Sequence, residues 1–276
     1  MPDPTSSSDS LAVLLLAVVQ GLAEFLPVSS SGHLVLSHEL FHVDSSLALD
    51  VALHVGTLGA VIYAYRRDVG RLLRDVLRGR LHLFLWLVVA TIPAGLAGVL
   101  LKDVIEEAFG STRVAAYGFF GTTVLLLLGE SFRRRHESSH PEESALGDEQ
   151  PLEPRFADAI FIGTAQVLAI LPGVSRSGTT IAAGLVRGLS GPQAARLSFL
   201  MALPAISGAA VLQVPDVLEN GFAGLSTGLV AIACVLSGVV GWAALRGVLL
   251  AVRRGSFPWF ALYTAVLGVL TLVLIP

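Results

Sequence analysis

The stretch QGLAEFLPVSSSGHLVL, Gln20 to Leu36, interrupts an otherwise apolar chain with a dense group of polar residues. Gln20 and Glu24 stand four residues apart, so a helix places both side chains on one face. Pro27 then ends the helix, and three serines, a glycine and His33 follow. Because polar atoms are costly in an apolar medium unless they are paired or used, the stretch indicates either a repaired helix break or a site of chemistry.

The composition of the whole chain is that of an integral membrane protein. Of its 276 residues, 54% are hydrophobic and only 14% are charged, whereas soluble domains carry about 25% charged residues. A membrane-spanning helix needs about 20 apolar residues, and such stretches recur at Leu81–Leu101, Val114–Gly129, Thr227–Leu245 and Phe257–Ile275. The net charge of −3 indicates no nucleic-acid partner, and the single cysteine, Cys234, excludes an intrachain disulfide.

The distribution of arginine predicts how the chain crosses the membrane. The segment 66–80 carries six arginines, and three more stand together at 133–135, directly after another apolar stretch. Arginine-rich connections lie on the cytoplasmic side of a membrane. Six spans satisfy this rule with both termini on the outer side, and they cover 47–65, 81–101, 114–130, 197–213, 226–245 and 257–275.

Two segments of the chain match each other at an offset of 146 positions. The pattern QxLA occurs at 20–23 and 166–169, and the pattern VSxSG occurs at 28–32 and 174–178. Chance similarity between apolar sequences is the alternative to an internal repeat. The repeat interpretation divides the chain into a first copy over 10–135, a flexible cytoplasmic linker over 136–154 that is rich in Ser, Pro and Glu, and a second copy over 155–276.

Each copy begins with a broken segment that is followed by three spans. The broken segments predict re-entrant helical hairpins over about 11–42 and about 157–188, because irregular backbone is tolerated in a membrane only where protein or water surrounds it. Three spans per copy reverse the second copy in the membrane. The predicted fold is therefore an all-α integral membrane protein with six transmembrane helices and two re-entrant hairpins in an inverted-topology repeat, whose broken helices meet near the membrane midplane.

The first polar cluster supplies groups for catalysis and for cation binding. The carboxylate of Glu24 is suited to a divalent cation or to the role of a base. One of the serines Ser29, Ser30 and Ser31 becomes a nucleophile where a neighbouring base takes its proton, and His33 is the nearest candidate. Structural alternatives stay open, because serines also patch exposed backbone at helix breaks and a lone histidine is commonly a packed core residue.

The second polar cluster, LPGVSRSGTT at 171–180, is suited to phosphate. Backbone N–H groups at a glycine-rich turn before a helix cradle phosphate oxygens, and the guanidinium of Arg176 adds a bidentate charged fork. An ion pair between Arg176 and Glu24 is the alternative, and an arginine that does both satisfies both interpretations. The candidate substrate-binding residues of the two clusters are Ser29, Ser31, Gly173, Ser175, Ser177 and Thr180.

The two clusters resemble the two signatures of the undecaprenyl-diphosphate phosphatase family of the bacitracin-resistance type. QGLAEFLPVSSSGH resembles the pattern (E/Q)GxxExLPVSSxGH, and LPGVSRSGTT resembles PGxSRSxxT. The resemblance implies a hydrolase of the bacterial cell (inner) membrane that converts a C55 polyprenyl diphosphate to the monophosphate carrier for peptidoglycan and related polymers. It also implies dependence on Mg²⁺ or Ca²⁺ and an active site that opens to the extracytoplasmic side.

The resemblance also assigns roles to individual residues. Glu24, Ser30, His33 and Arg176 match the family's functional positions, with Ser30 favoured as the nucleophile and His33 as its proton-transfer partner; attack by water assisted by His33 is the alternative. Gln20 stands where the family often has glutamate, so the cation is assigned chiefly to Glu24. The implied partners are the polyprenyl diphosphate and membrane lipid, and a homodimer is an open alternative to a monomer.

A transporter is the rival function. Inverted repeats and paired re-entrant hairpins are transporter architecture, so a flippase that returns polyprenyl phosphate inward without chemistry is the alternative. Hydrolysis is favoured because a carrier needs only binding groups, whereas the two clusters hold a nucleophile, a base and an arginine. A purely structural scaffold leaves Glu24 and Arg176 unexplained.

Overall fold

The structure is a computed structural model that describes residues 7–41, 47–139, 154–222, 224–253, 255 and 257–275. Within these ranges every regular element is helical. The first part of the chain forms α1 (Ser7–Phe25), α2 (Ser30–Phe41), α3 (Leu47–Ala64), α4 (Arg66–Leu77), α5 (His82–Leu100), α6 (Lys102–Phe109) and α7 (Thr112–Ser139). The second part forms α8 (Phe156–Gln166), a 3₁₀ helix (Val167–Ile170), α9 (Arg176–Val186), α10 (Gly191–Asn220), α11 (Thr227–Arg253) and α12 (Phe257–Leu274). Residues 140–153 of the predicted linker lie outside the described residues.

The helices confirm a multi-pass membrane protein. In the described part of the chain, five helices are long and apolar enough to cross a membrane, namely α5, α7, α10, α11 and α12. Helix α3 reaches this standard only together with α4, from which it is bent by 83°. The chain therefore has five or six candidate spans, and each span predicted from the sequence falls on one of these helices or on α3.

Helix α4 departs from a simple connection between two spans. Arginines and aspartates share it with leucines, so it has one polar and one apolar face. None of its residues is buried, and Leu77 is 86% exposed. Its Asp68 forms an ion pair with Arg196 near the start of α10. The sharp bend lays this amphipathic helix across the end of the bundle rather than through it.

The two polar clusters form helix breaks with the same capping geometry. Between α1 and α2, the Ser29 hydroxyl accepts a hydrogen bond from the Gly32 amide at 3.3 Å. Between the 3₁₀ helix and α9, the Ser175 hydroxyl accepts from the Gly178 amide at 3.0 Å. A serine that satisfies an amide at a helix start stabilises that start. The structural role that the sequence left open for serines is therefore present at Ser29 and Ser175.

The two breaks touch each other inside the bundle. A Cβ atom on Gly32 would stand only 2.7 Å from the Cα atom of Gly173, whose φ angle is 87°. The Ser177 hydroxyl donates to the carbonyl oxygen of Leu26 at 3.2 Å. Because glycine has no side chain, the two turns approach at backbone distance.

Helix α7 packs against the second turn, the one between the 3₁₀ helix and α9. The Thr122 hydroxyl donates to the Gly173 carbonyl at 2.7 Å and accepts from the Ser175 amide at 2.8 Å. A Cβ atom on Gly118 would stand 2.1 Å from the carbonyl oxygen of Pro172. The position of the second turn therefore depends on a close, hydrogen-bonded contact with α7.

The two parts of the chain interlock rather than pack side by side. Helix α1 of the first part packs on α11 of the second, and α8 of the second part packs on α5 of the first. Arg196 joins the start of α10 to α4, and the Trp86 indole near the start of α5 donates to the Arg155 carbonyl beside α8 at 2.9 Å. These contacts bring arginine-bearing helix ends together at one end of the bundle.

The contact between α7 and the second turn predicts that Gly118→Ala destabilises the protein. The new methyl group would overlap the Pro172 carbonyl, and overpacking of this kind costs roughly 1–3 kcal/mol. Thermal unfolding of the detergent-purified protein is expected to show a lower midpoint than the wild type.

Gly121→Ala is the matched control on the same helix. A Cβ atom there would meet only Val174, at an ordinary distance of 3.7 Å. Alanine favours a helix over glycine by up to about 1 kcal/mol, so the midpoint of this variant should stay or rise. Equal midpoints for the two variants would show that α7 does not press on the turn.

Candidate functional site

Glu24 and Arg176 form a buried ion pair where the two turns meet. Nη2 of Arg176 donates to Oε1 of Glu24 at 2.8 Å, and the side chains are 17% and 4% exposed. Nη1 of the same guanidinium donates to the Ser198 carbonyl of α10 at 3.0 Å. The ion pair that the sequence left as an alternative is therefore present, and phosphate binding depends on the space beside it.

Three more groups approach the second oxygen of the Glu24 carboxylate. Oε2 accepts a hydrogen bond from the Ser30 hydroxyl at 2.7 Å and another from the Gln20 amide nitrogen at 3.1 Å. Nε2 of His54 lies 3.4 Å from the same oxygen. Because an ionised carboxylate only accepts hydrogen bonds, the Ser30 proton is directed at Glu24. This is the arrangement of a nucleophile with an adjacent base.

His33 has other partners. Its Nδ1 atom lies 2.7 Å from the Ser29 carbonyl, and its Nε2 atom lies 2.7 Å from the Tyr263 hydroxyl. The ring stacks on Tyr263 with an interplanar angle of 4° and meets Phe119 edge-on. Since a carbonyl only accepts, Nδ1 of His33 donates to Ser29. The structure thus joins His33 to Ser29 and Tyr263, not to the Ser30 hydroxyl or the Glu24 carboxylate.

His54 is a site residue that the sequence reasoning missed. It lies on α3, and its Nδ1 atom donates to the Asp50 carbonyl at 2.7 Å while Nε2 faces Glu24. An available signal was the spacing of Asp50 and His54, because two polar residues four apart inside an apolar span share one helix face.

The ion pair lies beside a cavity of about 310 Å³. Ser29, Ser30 and Ser31 all line it. The other polar residues of its wall come from four different helices, and they are Glu24, Asp50, His54, Gln166 and Arg176. The cavity therefore combines hydroxyl, carboxylate, imidazole, amide and guanidinium groups in one apolar surrounding.

The remaining candidates of the second cluster support this cavity without lining it. Ser175 and Ser177 are buried and lie 3.2 Å apart between their hydroxyl oxygens. The Thr180 hydroxyl lies 2.7 Å from the Ser198 hydroxyl and bonds the Arg176 carbonyl at 2.8 Å. These three residues, like Gly173, hold the turn and the start of α9 in place, which positions the guanidinium.

A larger cavity of about 1160 Å³ adjoins the first and shares Asp50 and Gln166 with it. Its wall is formed by α2, α3, α5, α6, α7 and α10 together with the 3₁₀ helix and the end of α8. Toward the far ends of α2, α5 and α6, the wall carries Glu39, Lys102 and Glu106. Since α5 starts at the arginine-rich end and finishes here, the larger cavity leads away from the arginines.

The residues of the small cavity fit a divalent cation that is carried by a phosphate ligand. Both Glu24 and Asp50 line the cavity, and Mg²⁺ commonly binds one or two carboxylates together with substrate phosphates. Oε1 of Gln20, beside Glu24, is buried and has no hydrogen-bond partner within the described part of the chain. Among the described residues, no group of three acidic, histidine or cysteine side chains forms a metal site by itself.

Comparison with known proteins identifies the family. The family model described as "Bacitracin resistance protein BacA" matches residues 13–270. An undecaprenyl-diphosphatase of Rubrobacter xylanophilus is 40% identical, with 96% of this chain and 98% of the relative aligned. An undecaprenyl-diphosphatase 2 of Stutzerimonas stutzeri is 38% identical, and an undecaprenyl-diphosphatase of Methanosphaera stadtmanae is 34% identical. In both cases 96% of this chain and 98% of the relative are aligned. The match spans both polar clusters and the cavity between them, and the chain belongs to the bacitracin resistance protein BacA family.

Proposed function

We propose that this protein hydrolyses undecaprenyl diphosphate to undecaprenyl phosphate and inorganic phosphate, which recycles the carrier for cell-wall polymers and confers bacitracin resistance. The observation that carries the proposal is the Ser30–Glu24–Arg176 cluster in the wall of a cavity inside a membrane bundle. The names of the relatives describe the same hydrolysis. They give no support to the flippase alternative.

Arg176 holds the diphosphate. Glu24 and Ser198 each take one of its N–H groups, and a guanidinium has five. The others remain for phosphate oxygens beside Ser29 and Ser31, which line the same cavity. In an apolar surrounding, such charge-assisted hydrogen bonds are strong.

Ser30 attacks the terminal phosphorus, and Glu24 takes its proton along the existing 2.7 Å hydrogen bond. The bridging P–O bond breaks, and the proton passes from Glu24 to the departing undecaprenyl phosphate. Water then attacks the phosphoserine. Glu24 accepts a proton from this water and returns it to the Ser30 oxygen as inorganic phosphate leaves, which restores the starting state.

We assign His33 to positioning rather than to proton transfer. Its hydrogen bond to the Ser29 carbonyl fixes a residue whose φ angle is 71°, an uncommon conformation for serine. Tyr263 holds the other side of the ring. His33 therefore fixes the turn that presents Ser30 to Glu24.

A divalent cation, Mg²⁺ or Ca²⁺, is part of the proposal. Glu24, with Gln20 beside it, would hold the cation against the diphosphate. When bound, such a cation neutralises phosphate charge and stabilises the charge that develops in the transition state.

The larger cavity gives the substrate a path. Between α5 and α10 its wall is built from small residues, which leave room for an isoprenoid chain, and they are Ala94, Gly95, Gly98, Ala205 and Gly208. By the positive-inside rule, the arginine-rich end of the bundle is cytoplasmic. The cavity mouth at Glu106 then faces the extracytoplasmic side of the bacterial cell membrane, and both chain termini lie there too.

The same placement supports an inverted repeat. Helices α1 and α2 form the first re-entrant hairpin, α8 and α9 form the second, and three spans follow each within 10–135 and 155–276. The equivalent serine caps at Ser29 and Ser175, together with the reciprocal packing of α1 on α11 and of α8 on α5, support this division.

Glu24→Gln should reduce phosphate release by at least about 10²-fold, because the base is lost. The measurement is inorganic phosphate released from C55 diphosphate by detergent-purified protein, with and without a chelator; transport does not occur there because no closed membrane is present. Wild-type release is expected to need a divalent cation.

Gln20→Glu is the companion variant. It adds a carboxylate beside Glu24, so activity should be retained and less cation should be needed for half-maximal rate. Loss of activity in Gln20→Glu with retention in Glu24→Gln would reverse the two assignments. A wild type that releases no phosphate under any condition would remove the proposed function.

Arg176→Lys should lower kcat/KM by about 10²-fold or more although the charge is kept. A single ammonium does not reproduce contacts to Glu24, Ser198 and phosphate at once. Arg187→Lys is the matched control, because Arg187 follows the same helix and pairs with Asp158, outside both cavity walls. Near-normal kcat/KM in Arg176→Lys would show that Arg176 serves only as a countercharge and not as a bidentate phosphate ligand.

Sidedness is tested with single cysteines in a Cys234→Ala background. Glu106→Cys at the cavity mouth should react with a membrane-impermeant thiol reagent in intact cells, and Arg78→Cys after α4 should react only after lysis. Ser31→Cys should be protected from the reagent by added C55 diphosphate. Labelling of Arg78→Cys alone in intact cells would place the active site inside the cell.

A further inference from the structure

Gln166, the last residue of α8, carries a buried polar atom that nothing in its surroundings satisfies. The residue is 3% exposed, and its Oε1 atom has no hydrogen-bond partner among the residues that the structure describes. It lines both the small cavity of the ion pair and the larger cavity that leads to it. A buried carbonyl oxygen without a donor lowers stability, so a residue of this kind at a cavity wall indicates a ligand.

The matched segment of the first half shows what is unusual about Gln166. At the offset of 146, Gln20 corresponds to Gln166, and Glu24 corresponds to Ile170. The Gln20 amide nitrogen donates to Glu24, whereas its Oε1 atom, like that of Gln166, has no hydrogen-bond partner among the described residues. Gln166 faces no carboxylate on its own turn, because an isoleucine stands there. Gln166 therefore differs from Gln20 in two ways: it has no carboxylate partner at the i+4 position, and it lines both cavities.

The unsatisfied atom is a hydrogen-bond acceptor, and this limits the kinds of ligand that it can bind. A phosphate oxygen is also an acceptor and does not satisfy it. Glu24 and Asp50 line the same small cavity with further oxygen atoms, and carboxylate with amide carbonyl oxygen is a ligand set for a hard divalent cation. Asp50 already pairs with His38 and Glu24 with Arg176, so Oε1 of Gln166 is the one of the three groups that lacks a partner among the described residues, and a cation beside these carboxylates would supply it.

We infer that Oε1 of Gln166 is a ligand of the divalent cation that accompanies the diphosphate, contributed by the second half of the chain. The inference rests on the proposed function, since the diphosphate supplies the remaining oxygen ligands. Glu24 lies on α1 and Gln166 on α8, so the cation joins the two halves at the place where their turns meet.

The test uses full-length, detergent-purified protein and a readout that does not depend on turnover. Binding of Mn²⁺ is followed by electron paramagnetic resonance with methylenediphosphonate, which is not hydrolysed. Gln166→Leu should weaken Mn²⁺ binding about 10-fold or more, and its thermal midpoint should not fall, because leucine removes an unpaired amide. Gln166→Glu should tighten Mn²⁺ binding, a gain that misfolding does not produce.

Gln193→Glu is the matched charge control. Gln193 caps the start of α10 through Ser190, a role that glutamate also fills, and it lies outside both cavity walls. Its Mn²⁺ affinity should equal that of the wild type. Wild-type Mn²⁺ affinity in both Gln166 variants overturns the inference, as does a wild type that binds no Mn²⁺ with methylenediphosphonate. A wild type that binds Mn²⁺ but releases no phosphate from C55 diphosphate refutes the proposed function alone.

Discussion

The ion pair between Glu24 and Arg176 is the interaction on which the rest of the site depends. It joins two residues 152 positions apart, and it lies inside an apolar bundle where either charge alone would be expensive. A buried ion pair is seldom more stable than a well-packed apolar pair, because the cost of desolvation offsets the attraction. Stability therefore does not explain why the pair is kept. Its value lies in the groups that it fixes: the carboxylate that accepts the Ser30 hydrogen bond and the guanidinium that faces the cavity.

Glycine and serine make the approach of these charges feasible. The turns meet at Gly32 and Gly173 at a distance that any side chain would prevent, and Ser29 and Ser175 cap the two helices that start there. The residue after each cap is the first of its helix. A helix start favours negative charge through its free N–H groups. In the first half that place holds Ser30, and in the second half it holds Arg176, so both residues stand where phosphate is favoured.

Much of this arrangement could be predicted from the sequence, and physical reasons explain why the rest could not. Apolar length predicted the spans, and the cost of a charge in a membrane predicted that Glu24 and Arg176 are used. The 83° bend between α3 and α4 is not set by apolar length, because it depends on the amphipathic pattern of the next helix. The aromatic partners of His33, Phe119 and Tyr263, are distant from it in sequence, and no local sequence pattern predicts them. His54 was missed for a different reason: its spacing from Asp50 was a local signal of one polar helix face, but its contact with Glu24 depends on how α3 packs in the fold.

The two matched segments differ at the positions that form the site. Glu24 in the first half corresponds to Ile170 in the second, and Ser30 corresponds to Arg176. A second carboxylate at 170 would set two negative charges against one guanidinium and would repel a diphosphate. An arginine at 30 would remove the hydroxyl that points at the base. In the proposed mechanism, one half thus supplies the nucleophile with its base and the other supplies the guanidinium that binds phosphate, and the chemistry needs both because neither half holds the complete set.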